Sequence, residues 1–154
     1  MFRDLRRKDR EIGHTEVIEI LKSCEYGVLS TVSEDGYAYG VPLNYVYADN
    51  SIYFHSAEQG HKLDNIVNQN KVSFCVVGKN YVLPDKFTTN YESVIIFGRA
   101  EEIFDDEKNA AMLKMLEKYS KEYVEKGREY LKKANSKVKV IKINIEHISG
   151  KARR

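Results

Sequence analysis

Four residues that could hold an anion fall within seven positions: Ser56, Gly60, His61 and Lys62. They sit where a strand pattern ending at His55-Ser56 gives way to a helix pattern carrying Leu63, Ile66 and Val67. Backbone N–H groups at a helix start, a hydroxyl, an imidazole and an ammonium can converge there on phosphate. One lysine in a short loop suits a monophosphate better than a pyrophosphate. The same residues are also compatible with an ordinary polar loop. The chain has four histidines. His14 precedes a helix, His147 lies near the C-terminus without an identifiable partner, and His55 and His61 are too far apart in sequence for a known zinc spacing. With no HExxH, no cysteine pair and no GxSxG elbow, neither a metal site nor a serine nucleophile at Ser56 is expected.

The elements that must position this loop are mostly short strands. Tyr26–Ser33 and the stretch from Tyr37 flank Glu34-Asp35-Gly36, which is hairpin turn chemistry. By the period of two, Tyr37, Tyr39, Val41, Leu43, Tyr45 and Tyr47 share one face. Ala38, Gly40, Pro42, Asn44 and Val46 share the other. Pro42 marks an edge or irregularity and Gly40 allows close approach to the backbone. A turn at 48–51 leads into Ile52–Ser56. Further strands are expected at 72–77, at 91–103 with a bulge at Gly98, and at 138–145 with a bulge between Val140 and Ile141. Residues 79–90 are expected to form a long ordered loop.

Amphipathic helices are expected at about 15–24, from Asp105 as N-cap to about 119, and at about 121–134, the last largely a solvated surface. Arg3, Arg6, Arg7 and Arg10 share helical spacing, which reads as a packed or solvated arm. Strands joined by hairpins, with helices at the margins, point to a small β-barrel with α additions rather than a doubly wound sheet.

At 154 residues the chain is expected to form a single domain, 1–154, with room for one site per subunit. A net charge of +2 argues against nucleic-acid or membrane binding by charge. The basic start lacks the apolar run of a signal peptide and no segment is long and apolar enough to span a membrane, so a cytoplasmic location is expected. Cys24 and Cys75 read as core thiols.

The run TVSEDGYAYGVPLNYVYADNSIYFHSAEQGHKLDNI, with KFTTNYESVIIFGRAEEI and the terminal IEHISGKARR, resembles the flavin-binding proteins related to pyridoxamine 5′-phosphate oxidase. The resemblance is greatest to their nitroimidazole-resistance branch and extends over nearly the whole chain. It implies a mainly β (α+β) fold, a six-stranded antiparallel split β-barrel with flanking helices. It further implies a homodimer binding FMN in two symmetric sites at the subunit interface. Val41, Pro42, Leu43, Asn44 and Tyr45 would lie along the isoalloxazine ring, largely through backbone groups. His55, Ser56, Ala57, Gly60, His61 and Lys62 would hold the ribityl chain and phosphate, with His61 where the oxidases commonly carry arginine. Tyr91 and Ser93 would approach from the second subunit. Ile148 stands where the oxidases have an aromatic residue, which argues against pyridoxamine-phosphate oxidation. By the same resemblance His55 is the candidate catalytic residue of an FMN-dependent oxidoreductase, passing electrons from a reduced nicotinamide to a small aromatic or nitro compound. A flavin-storage protein and a heme-handling barrel are the alternatives.

Overall fold

A computed structural model describes all 154 residues, Met1–Arg154. Its strands are β1 (Tyr26–Val32), β2 (Ala38–Asn44), β3 (Val46–Ala48), β4 (Ser51–Ser56), β5 (Lys71–Leu83), β6 (Thr88–Ile103) and β7 (Lys139–Arg153). They form one antiparallel sheet in the order β2-β1-β5-β6-β7-β4-β3. Its two edge strands, β2 and β3, are successive parts of one stretch of chain, separated by Tyr45 alone. The sheet must therefore curl until its edges meet, which makes the expected antiparallel barrel.

The seventh strand arises at this junction. Strict alternation holds through Tyr39, Val41 and Leu43, which turn inward while Ala38, Gly40, Pro42 and Asn44 are exposed. Then Tyr45 and Val46 are both buried. Tyr45 enters the barrel core and Val46 the layer under α3. The chain changes partner between them, β2 pairing with β1 up to Asn44 and β3 with β4 from Val46, so the single strand expected over 37–47 divides in two.

The barrel core gathers Leu29, Tyr45, Ile52, Phe54, Phe74, Val76, Val94, Ile96 and Ile143, with Val17, Ile20 and Leu21 of α1 (His14–Ser23) closing it. Tyr45 meets Phe74 edge-on, with ring centroids 5.0 Å apart. A smaller cluster, including Val46, Tyr53, Ile103 and Val140, lies under Ala111, Met112 and Met115 of α3 (Asp105–Tyr119). Two short helices, α2 (His61–Asn68) and α4 (Val124–Ala134), complete the fold. No helix is long and apolar enough to cross a membrane.

Several local expectations are corrected. Residues 79–90 are not a loop: Asn80–Leu83 pair with Thr88–Tyr91, and a tight turn at Pro84–Lys86 joins them. Their polarity reflects a hairpin with solvent on both faces. Strand β7 runs on to Arg153, and its register is continuous at Val140 and Ile141. Both side chains are buried because the barrel core covers one face of the strand and the α3 cluster the other. The bulge lies instead between Phe97 and Gly98, which pair with His147 and Ile145 and leave Glu146 as the extra residue. A Cβ on Gly98 would stand 2.3 Å from the carbonyl oxygen of Asn144, so only glycine fits there.

Helix α1 begins one residue early, at His14, with Gly13 just outside its first turn. Asp105 lies inside α3 at φ 52°, and no side chain caps that helix. Val67 is exposed, and α2 buries Leu63, Asn65 and Ile66 instead. The arginine-rich start makes only a short turn at Lys8–Arg10, while Phe2 stacks on Phe97 and His147.

Candidate functional site

Helix α2 begins directly after Gly60, whose φ of 157° is near-extended. The carbonyl of Gly60 accepts from the amides of Leu63 and Asp64, leaving the N–H groups of His61 and Lys62 without a partner in the chain. Lys62 is half-buried and forms no ion pair. An ammonium and two free amides lie at one helix start, groups that can meet an anion, with Asp64 in the same first turn and Glu34 and Asp35 beside His61. The His61 side chain is committed elsewhere. Its Nε2 lies 2.9 Å from Ser33 Oγ, and its ring rests on Tyr39 at 4.0 Å between centroids. Ser33 Oγ also accepts from Asn65 Nδ2 at 3.2 Å, and the same amide donates to Thr31 Oγ1 at 2.9 Å. This network fixes α2 against the end of β1.

Strand β2 pairs with β1 on one side only, so its other edge is free within the chain. Pro42 at that edge removes a donor that would invite another strand. The exposed face of β2 carries Ala38, Gly40, Pro42 and Asn44, small enough to admit a flat ring against the backbone. Val41 and Leu43 pack on the core. Tyr45 does not face this strip: its ring is fully buried and its hydroxyl donates to the carbonyl of Leu21 at 2.6 Å. Burial drives the Tyr45 phenol far above its ordinary value.

The main-chain groups of Tyr45 are claimed as well. Its N–H donates to Tyr119 Oη at 3.0 Å, and its carbonyl lies 2.7 Å from that hydroxyl and 3.0 Å from Lys118 Nζ. The Tyr119 hydroxyl also reaches the carbonyl of Glu25 at 2.6 Å, so its one proton is shared between two acceptors. Lys118 sits 4.0 Å from the centre of the Tyr45 ring, a cation–π contact, and burial lowers its pKa. The end of α3 thus pins the bend between β2 and β3.

His55 is exposed at the end of β4. With Asn44, Ser56 and Ala57 it lines a cleft of about 510 Å³ roofed by α3 and α4. Ser56 Oγ is enclosed and has no hydrogen-bond partner. Tyr91 lies in a different cleft, with Lys79, Tyr81, Asn90, Glu92, Arg153 and Arg154. Its hydroxyl accepts from Arg10 at 3.5 Å, and that bond, with Lys151 nearby, lowers its pKa. Ser93, two residues on, pairs with Val77 and Lys151. Within one chain, then, the structure unites Asn44, His55, Ser56 and Ala57 and leads from them through the loop to Gly60, His61 and Lys62. Tyr91 and Ser93 stand apart.

Residues 13–152 match the sequence profile described as pyridoxamine 5′-phosphate oxidase. The chain belongs to this family. No curated protein sequence matches it. Among solved structures, a conserved hypothetical protein from Mycobacterium tuberculosis superimposes with a TM-score of 0.84 at 18% identity, covering 98% of this chain and 91% of that one. A protein from Bacteroides thetaiotaomicron, provisionally named for 5-nitroimidazole antibiotic resistance, gives 0.75 at 22% identity, with 92% and 85% covered. An FAD-binding protein from Mesorhizobium loti gives 0.68 at 24%, with 94% and 98% covered. At these identities the likeness is one of fold, and it bears out the expected split barrel.

The family's flavin phosphate fits the residues present, two unclaimed amides and an unpaired ammonium at the start of α2, while the orphaned Ser56 hydroxyl in the preceding strand is enclosed. Sequence reasoning missed Tyr119, Lys118 and the α3–α4 wall of the His55 cleft. Tyr130 and Leu131 were the available signal, as two adjacent apolar side chains on a charged helix. Nothing in the sequence pointed to Ser33, Asn65 and Tyr39 as the surroundings of His61.

Proposed function

We propose that this chain is an FMN-binding flavoprotein acting in the cytoplasm as an oxidoreductase on small aromatic or nitro compounds, with a reduced nicotinamide as electron donor. The observation that carries the reading is Lys62, an ammonium without a carboxylate partner, beside the free amides that open α2. These groups would hold the phosphate. The small exposed face of β2 would receive the ring. Bound FMN supplies the electron and hydride chemistry. The protein's share is to orient the flavin, exclude water from its ring and present a proton at the His55 imidazole, which opens on a cleft large enough for a second small molecule.

The reading includes a homodimer. The outer face of β6 exposes Ile95 and Phe97, with Val77 exposed on neighbouring β5, and no helix covers this face. A second copy seated there would bury it and could carry Tyr91 and Ser93 to the flavin of its neighbour. The family membership and the FAD-binding structural relative support a flavin.

The test is the absorbance spectrum of the purified protein, followed by chromatography of the ligand released on denaturation. FMN, with bands in the blue and near ultraviolet, together with nicotinamide-dependent reduction of a nitroaromatic, is expected. An intense Soret band would assign the barrel to heme. Yellow protein that reduces no acceptor would make it a flavin carrier.

A further inference from the structure

The cleft beside His55 has, in Lys137 and in its α3–α4 roof, groups that the flavin reading does not use. Its floor is the end of β4 and the approach to β7, brought together because His55 pairs with Val140 and Ser56 with Lys139. That register carries Lys137 and Val138 to the same end of the cleft. Its roof is apolar, with Met115 and Leu116 from α3 and Leu131 and Ala134 from α4. No aspartate or glutamate lines it, although acidic residues make up 23 of the 154 in the chain. Lys137 is exposed and forms no ion pair, and His55 forms no hydrogen bond to another side chain. The cleft therefore offers one unneutralised cation, a mostly apolar roof, and polar groups of Asn44, His55, Ser56 and Ser120.

We infer that this cleft binds a small monocarboxylate with an aromatic or branched apolar body, its carboxylate toward Lys137 and its body between α3 and α4. The volume of about 510 Å³ suits a ligand of one or two rings. A neutral ligand of the same shape would gain the apolar contacts but leave the ammonium unmatched, so charge becomes the source of selectivity. The inference rests on the flavin reading only for the use made of the ligand, which would stand beside His55 as the electron acceptor. Binding itself does not depend on flavin.

The experiment is calorimetric titration of the purified full-length protein with 2-naphthoate and with neutral 2-naphthamide, FMN being titrated into the same samples. Saturable naphthoate binding is expected, with the amide weaker by about two- to fivefold, the scale of one partly exposed charge pair. Lys137→Glu, at an exposed position, should weaken naphthoate by about fivefold to tenfold, since attraction is replaced by repulsion, and leave the amide unchanged. Ala134→Trp should fill the cleft and abolish both, with thermal melting confirming that the variant is folded. Equal affinity for the two probes, no binding of either, or binding that survives in folded Ala134→Trp would overturn the inference. So would exclusion of naphthoate by self-association of the protein. Naphthoate binding without FMN binding would uphold the cleft and overturn the flavin reading; FMN binding without naphthoate would do the reverse.

Discussion

Lys62 and His61 are neighbours in sequence with different fates in the fold. Lys62 keeps its charge unpaired at the mouth of α2, whereas His61 is bonded to Ser33 and stacked on Tyr39. The sequence shows which residues can meet a phosphate, because residue type and the strand-to-helix change are local signals. It does not show which of them is already engaged, because Ser33 and Tyr39 reach His61 only through the pairing of β1 with β2. At this scale too, Glu92 carries a titration signature. Burial pushes its carboxyl up, but Arg154 and the Lys79 amide outweigh that and hold it below the ordinary 4.5. A carboxyl depressed in the folded state contributes stability that is complete above its unfolded value and is lost as pH falls through the folded one. Urea melts should therefore show wild type losing stability relative to Glu92→Gln as pH drops below about 4.5. Parallel profiles would contradict the assignment.

At the scale of elements, the decisive feature is the bend at Tyr45. Alternation along residues 37–47 was legible, as was Pro42 at an edge, but the break after Asn44 was not. It depends on Tyr119, far along the chain, whose hydroxyl meets Tyr45 N–H, Tyr45 C=O and Glu25 C=O. Tyr119→Phe leaves the ring and strands the N–H of a buried residue, at a cost of about 1–3 kcal/mol. Chemical denaturation should show that loss with an unchanged denaturant slope, and a variant as stable as wild type would mean that water replaces the hydroxyl. The bulge at Gly98 was legible because a glycine inside a strand pattern marks a bulge or a close backbone approach. The hairpin at 79–90 was not, because strands solvated on both faces lose the alternation that identifies them.

For the whole molecule, the antiparallel barrel followed from hairpin turns and strand lengths, since such a sheet has to close or cover its edges. The proposed second copy would cover Ile95 and Phe97, which stay partly exposed on the outer face of the sheet. Light scattering on diluting samples should give a dimer mass, and Phe97→Glu should yield folded monomer that has lost FMN. Folded monomer that still holds FMN tightly would remove the interface from the site. The central claim is that FMN is held at the start of α2 by Lys62. Its most direct test is titration of FMN, followed by quenching of flavin fluorescence, into flavin-free wild type and into Lys62→Ala. Saturable binding to wild type is expected, weaker by about 1–3 kcal/mol in the variant, the scale of a charge-assisted hydrogen bond. An FMN dissociation constant unchanged by the substitution would contradict it.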